Sequence, residues 1–229
     1  MKKLALIICL LPLVGGCIKA IPRTDPVMFD TKPLASCLVV SVDLSGSFAD
    51  DFGDRAYPLL LKIMDKFFTV SMGEDSKVVL SQMSGHDQVI LFEGTPRELR
   101  RRFASPDELA EFMLEHSGRD RSPIYESAGQ TFRYVNSMAD VTEDSKVLTA
   151  IISDLKDSET ISAKRSATGR KMLSELESYQ AKGGALALYC VDLEETSRWK
   201  RILDMAGFKP GQFVISNDLV ESPPMPIFQ

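Results

Sequence analysis

The sequence has little of what most soft-metal and nucleophilic sites are built from. Of its 229 residues only four are Cys and two are His. Neither a C-x-x-C nor an H-x-x-x-H spacing occurs, so no zinc signature of the usual kind is present. His86 falls in a turn-rich stretch and His116 near a helix end, and both read as solvated side chains. There is no G-x-S-x-G elbow, which removes the hydrolase class that exposes its serine that way. The apolar stretch at 4–14 is shorter than the roughly 20 residues that cross a bilayer. Basic residues form a single run, Arg100-Arg101-Arg102, within a helical window, and it reads as a solvated helix face. With a formal net charge of −5 and no basic stripe, nucleic-acid binding is disfavoured. No internal repeat or low-complexity tract is seen.

What is present is alternation. Near-continuous apolar runs of strand length fall at 37–43, 77–83, 88–93, 146–153, 185–192 and 212–216. Runs of this kind suit parallel strands covered on both faces. The second and third are joined by Ser84-Gly85-His86-Asp87, whose composition favours an antiparallel hairpin. Between the strands, helical periodicity appears at 55–70, where Leu59, Leu60, Ile63, Met64, Phe67 and Phe68 share a face. Ser105-Pro106-Asp107-Glu108 opens another helix, with Ser as N-cap, Pro in the first turn and acids at the positive end. Further helices are expected at 124–138, 163–182 and 194–206, the last two stopping at Gly183 and Gly207. The pattern predicts a doubly wound α/β domain: a mostly parallel six-stranded sheet with one antiparallel edge strand and helices on both faces. Cys37 opens the first strand and Cys190 closes the fifth.

At the end of the first apolar run stands Asp43-Leu44-Ser45-Gly46-Ser47. Three oxygen-bearing side chains at alternating positions, where a buried strand opens into a loop, lie where α/β sheets collect ligands. One carboxylate and two hydroxyls suit magnesium. The same residues are also ordinary turn and N-cap formers. A second strand ends comparably, in Ser153-Asp154, and between the two lies Ser122-Pro123-Ile124-Tyr125-Glu126-Ser127-Ala128, a loop running into a helix. A phosphatase-like reading with Asp43 as nucleophile lacks the second acid two residues on, where Ser45 stands. Glu126 and Asp157 are the nearest bases for a metal-dependent hydrolase.

These three segments, in this order, resemble the von Willebrand factor A-type (integrin inserted-domain-like) domain with its metal-ion-dependent adhesion site, which reads D-x-S-x-S, then a Thr before a helix, then T-D-G. The resemblance spans roughly 35–220. It implies a metal ligand set of Asp43, Ser45, Ser47, Ser122 and Asp154, no catalytic residues, magnesium as the ion (with manganese or calcium as substitutes), and a protein partner whose carboxylate completes the metal shell. A small-molecule substrate is not implied. The strand order that the resemblance implies puts one strand between that of Cys37 and that of Cys190, beyond the roughly 7 Å Cα limit of a disulfide, so both read as buried free thiols. The alternative is an assembly role in which the metal only ties loops together. Ser122 replaces the family Thr, and Ser153-Asp154-Leu155 replaces T-D-G, so Leu155, Lys156 and Asp157 are expected to narrow the approach to the ion.

The N-terminus supplies a compartment. Lys2 and Lys3, the apolar stretch and Gly15-Gly16-Cys17 form the layout of a secretory signal, and Val14-Gly15-Gly16-Cys17 resembles the bacterial lipobox, in which the Cys is acylated. The domains expected are a signal at 1–16, lipidated Cys17 with a Pro-containing tether to 36, the A-like domain at 37–220 and a Pro-rich tail at 221–229. That tail either lies over the domain or docks on a partner. Removing residues 1–16 leaves 25 basic against 32 acidic residues, a charge of −7. The expected location is the cell envelope, on the periplasmic face of the outer membrane if the cell is Gram-negative, since Ile18 rather than Asp follows the Cys.

Overall fold

The computed structural model describes residues 32–45, 52–71, 75–84, 88–116, 118, 121–218 and 222–227, all within one compact unit that spans Thr31–Gln229. The expected signal at 1–16, Cys17, most of the tether, Ser47 and His86 lie outside the described residues. Among the described residues, no helix is long and apolar enough to cross a membrane.

Six strands, β1 (Ser36–Val42), β2 (Ser76–Gln82), β3 (Ile90–Gly94), β4 (Lys146–Ile152), β5 (Ala185–Tyr189) and β6 (Phe213–Ser216), form one sheet in the order β3-β2-β1-β4-β5-β6. All neighbours are parallel except β2 and β3. The strand and helix bounds match the sequence expectation to within a few residues. β1 is buried along its whole length because successive side chains enter opposite cores. Leu38, Val40 and Val42 go to one face, Cys37 and Val39 to the other.

The first face is covered by α1 (Tyr57–Ser71, entered through a π-helical turn at Phe52–Ala56), α2 (Pro96–Arg102) and α3 (Pro106–Glu115). The second is covered by α4 (Ile124–Ser137), α5 (Ser162–Ala181) and α6 (Leu193–Met205). α1 buries Leu59, Leu60, Ile63 and Phe67 on one stripe. α4 and α5 approach closely at Gly129, where a Cβ would come within 3.3 Å of the Met172 Cα. α5 and α6 stop at Gly183 and Gly207, both with positive φ, the left-handed exit that glycine adopts without penalty.

Cys37 and Cys190 are buried and unbridged, with β4 between their strands. Burial pushes the Cys37 thiol up to about 12, so it packs as an apolar side chain. The tail residues 222–227 lie against the first face. Tyr189 donates to the Pro224 carbonyl at 2.6 Å, Lys66 to the Pro223 carbonyl at 2.9 Å, and Met225 packs on the core.

Candidate functional site

The sheet order places a topological switch between β1 and β4: from β1 the chain proceeds outward to β2, and from β4 outward to β5. In open α/β sheets the crevice at such a point, beyond the carboxyl ends of the strands, is where ligands bind. β1 and β4 pair in register through Val42↔Ile152, and Asp43 N–H continues the ladder onto the Ile152 carbonyl at 2.9 Å. Asp43 and Ser153 therefore emerge side by side. The Ser153 hydroxyl donates to Asp43 Oδ2 at 2.9 Å.

Asp43 Oδ1 is the centre of the cluster. It accepts from the Ser45 N–H at 3.0 Å, from Ser45 Oγ at 2.7 Å and from Ser122 Oγ at 3.2 Å. Ser45 Oγ and Ser122 Oγ also contact each other directly. Asp43 is 1% exposed and Ser45 and Ser122 are each 8% exposed, so the oxygens of three segments meet in a nearly closed crevice. Burial raises the Asp43 carboxyl above the ordinary aspartate value. Hydrogen bonds from Ser45 and Ser153 oppose the rise, and the negative charge of Asp154 adds to it.

The loops that carry these oxygens are fixed by the protein itself. Ser158 N–H donates to the Ser122 carbonyl at 2.9 Å, and Asp192 N–H to the Asp154 carbonyl at 3.1 Å. Pro123 precedes α4 without a side-chain cap. The Asp157 carboxylate instead faces the N–H groups of Ile124 and Glu159 and the Arg165 guanidinium, whose Nε lies 3.4 Å away. A carboxylate at a helix N-terminus is favoured by the helix dipole. Burial of this one, its side chain 2% exposed, pushes it above the usual range against those attractions.

Of the expected ligands, Asp43, Ser45 and Ser122 are within hydrogen-bonding contact. Asp154 stands beside them with Oδ1 accepting from the Lys156 N–H at 2.9 Å, near enough for its charge to act on Asp43. Ser47 lies outside the described residues. Sequence reading noted Ser153 in the Thr position of T-D-G but left it out of the ligand set. It also missed Asp157 as a support for the Ser122 loop, because nothing in spacing links the two.

The expectation that Leu155 narrows the approach is corrected. Leu155 has φ +62°, is 1% exposed and belongs to the second core. Lys156 turns to Asp192, with Nζ 2.6 Å from its carboxylate.

The donor set fits a hard cation. Ser45 and Ser122 have two hydroxyl protons for three contacts, two with Asp43 and one with each other. Lone pairs are thus left facing one another beside two carboxylates, an arrangement that a cation relieves. Among the described residues no group of three or more His, Cys, Asp or Glu forms a metal site, so the set consists of hydroxyls and carboxylates only.

Three solved structures share this architecture. The VWA domain of SpRpn10 superposes with a TM-score of 0.55 at 7% identity, over 80% of this chain and 88% of that one. The pilus adhesin SpaC of Lactobacillus rhamnosus GG, in its open conformation, gives 0.53 at 11% identity, over 83% of this chain. The manganese-loaded TRAP protein of Plasmodium vivax gives 0.52 at 14% identity, over 81% of this chain and 68% of that one.

The fold is von Willebrand A-like.

At these identities the likeness concerns the fold alone. No protein-family profile and no curated protein matches the sequence. The A-like chain spans 28% of the adhesin's length.

Proposed function

We propose that this chain is a lipid-anchored protein of the bacterial cell envelope whose A-like domain binds a protein partner through a divalent-cation site. The observation that carries the reading is the convergence of Asp43, Ser45 and Ser122 oxygens at the switch point, with Asp154 alongside. Asp43, Ser45, Ser47, Ser122 and Asp154 would hold the ion, magnesium by the chemistry of the set and manganese or calcium by the same chemistry. When bound, the ion supplies an electrophilic position that a partner's Asp or Glu carboxylate completes, because most of the protein ligands are neutral hydroxyls. The chain's own part is positional. β1 and β4 set Asp43, Ser158 and Asp157 fix the Ser122 loop, and Asp192 fixes the backbone at Asp154.

A role in which the metal only ties the loops together is less well supported, since backbone hydrogen bonds already join the loops. A phosphatase-like reading lacks the second acid two residues after Asp43, where Ser45 stands. The anchor follows from Cys17 in its lipobox-like setting, and places the domain on the periplasmic face of the outer membrane in a Gram-negative cell.

The test is capture of partners from envelope extracts by the full chain in magnesium and in EDTA, at a temperature where the domain stays folded in both. Partners retained in magnesium and lost in EDTA are expected. Equal capture in the two conditions overturns the metal-mediated mechanism.

A further inference from the structure

The end of the sheet opposite the candidate metal site carries a second charged feature. β3 runs antiparallel to β2, with Gly94 paired to Val78 near the start of β2. The chain therefore leaves β3 at the end where β1 and β2 begin, and where residues 32–35 join the sheet through Leu34 N–H to Asp140 and Ala35 N–H to Asp75. α2 starts directly there, and its seven residues extend about 10 Å at 1.5 Å per residue. Leu99 turns into the first core. Arg97, Arg100 and Arg101, at i, i+3 and i+4, share one exposed face and together line an open stretch of surface.

None of these three guanidinium groups has an ion pair among the described residues; Glu98 feels the charge of Arg101, but the oxygens of the nearest acids are hydrogen-bonded elsewhere. Glu98 is folded back onto Thr95, accepting from its N–H at 2.7 Å and from its hydroxyl at 3.0 Å. Glu108 accepts from the Ala104 N–H at 2.8 Å. Three further acids of this end are matched, Asp75 by Lys32 and Glu93 and Asp140 by Lys77. Glu143 and Asp144 lie on the loop before β4, beyond β1 from α2. In a chain of net charge −5, α2 is thus a local cationic face on the side where the N-terminal segment arrives.

We propose that Arg97, Arg100 and Arg101 dock on the phosphate headgroups of anionic lipids in the membrane that holds the N-terminal anchor, so that the domain stands with its metal site pointing away from the bilayer. The inference rests on the lipid-anchor reading above. Guanidinium groups suit phosphate because their planar donors bind two oxygens at once. An acyl anchor holds a domain to the membrane without setting which face it presents. Three Arg at the surface, each contributing about a fivefold preference for an anionic leaflet, favour the docked orientation on the order of a hundredfold.

The test uses the full chain reconstituted with vesicles of phosphatidylcholine alone and of phosphatidylcholine with phosphatidylglycerol. Flotation with the neutral vesicles reports the anchor. Backbone hydrogen exchange across 95–103 reports the docking. Expected are flotation with both vesicles and slower exchange of α2 only on the anionic ones. The protection should be lost in high salt and in a variant carrying Arg97→Gln, Arg100→Gln and Arg101→Gln, which leaves Leu99 and the Thr95 cap intact. Flotation with both vesicles and identical exchange in the two refutes the docking while leaving the anchor standing. Salt-sensitive flotation with anionic vesicles alone, lost in the triple variant, refutes the anchor and upholds the Arg face. Flotation with neither overturns both.

Discussion

Replacing Asp43 by Asn separates the metal site from the fold that carries it. The side chain is isosteric. Its carbonyl oxygen keeps the bonds from Ser45 and Ser122, and its amide can donate to Ser153 Oγ, which now accepts instead of donating. In the wild type without divalent ions, the buried carboxyl lies above the ordinary aspartate value. The native state therefore retains this proton to higher pH than the unfolded chain, and stability falls as pH rises from the ordinary value through the raised one, then levels. Asn removes that slope, so the metal-free variant melts no lower than the metal-free wild type at neutral pH. With magnesium the order reverses. A cation bound only to the native state contributes about 2.7 kcal/mol at a hundredfold excess over Kd. At about 2–4 °C per kcal/mol for a domain of this size, the wild-type Tm rises by roughly 5–11 °C, and the Asn variant gains almost nothing. Thermal melts of both proteins in magnesium and in EDTA decide the matter. A wild-type Tm indifferent to magnesium, or an Asn variant that retains the full shift, refutes the metal assignment.

Ser122→Ala is expected to leave the melting temperature within a few degrees of wild type in EDTA yet abolish chelator-sensitive partner binding, read by paired melts and binding isotherms. Parallel loss of stability and binding would instead mark the metal as a loop tie. Leu155→Gly relieves a left-handed backbone, a gain of roughly 1–2 kcal/mol, but empties a buried leucine site, a loss of roughly 2–5 kcal/mol. Net destabilisation by denaturant titration with unchanged partner affinity is expected, and tighter binding would show that Leu155 does obstruct the site. Tyr189→Phe removes the bond to Pro224 and should cost about 0.5–1.5 kcal/mol while making the 222–227 strap more sensitive to carboxypeptidase; unchanged digestion would show that the bond does not hold the strap. Cys17→Ser should abolish incorporation of a palmitate analogue, and label retained on the variant would place the anchor elsewhere.

The sheet was legible because its strands are buried on both sides, so each shows as an apolar run bounded by polar residues, and the antiparallel edge announced itself by a four-residue turn too short for a crossover. Asp43, Ser45 and Ser122 were legible for a different reason: each stands where an apolar pattern stops or a helix begins, and such boundaries fall at the ends of strands. Asp157 was not legible. Its role comes from the folding of the 154–161 loop back over the start of α4, a contact between segments more than thirty positions apart that leaves no periodic trace. Nor did the Arg97, Arg100 and Arg101 face stand out. A basic run on a helix reads the same whether or not its neighbouring acids neutralise it, and only the structure places Glu98 and Glu108 on backbone N–H groups instead.

Leu155 holds a further lesson about substitution at a site loop. Where the resemblance has glycine in T-D-G, Leu155 takes a left-handed φ of +62°, a conformation that glycine adopts without penalty. Its side chain is 1% exposed and belongs to the second core, and that burial offsets the strain that a non-glycine residue meets there. Lys156, the next residue, pairs with Asp192 at 2.6 Å and lies within range of the charges of Asp154 and Glu194, so this side of the crevice carries no excess positive charge.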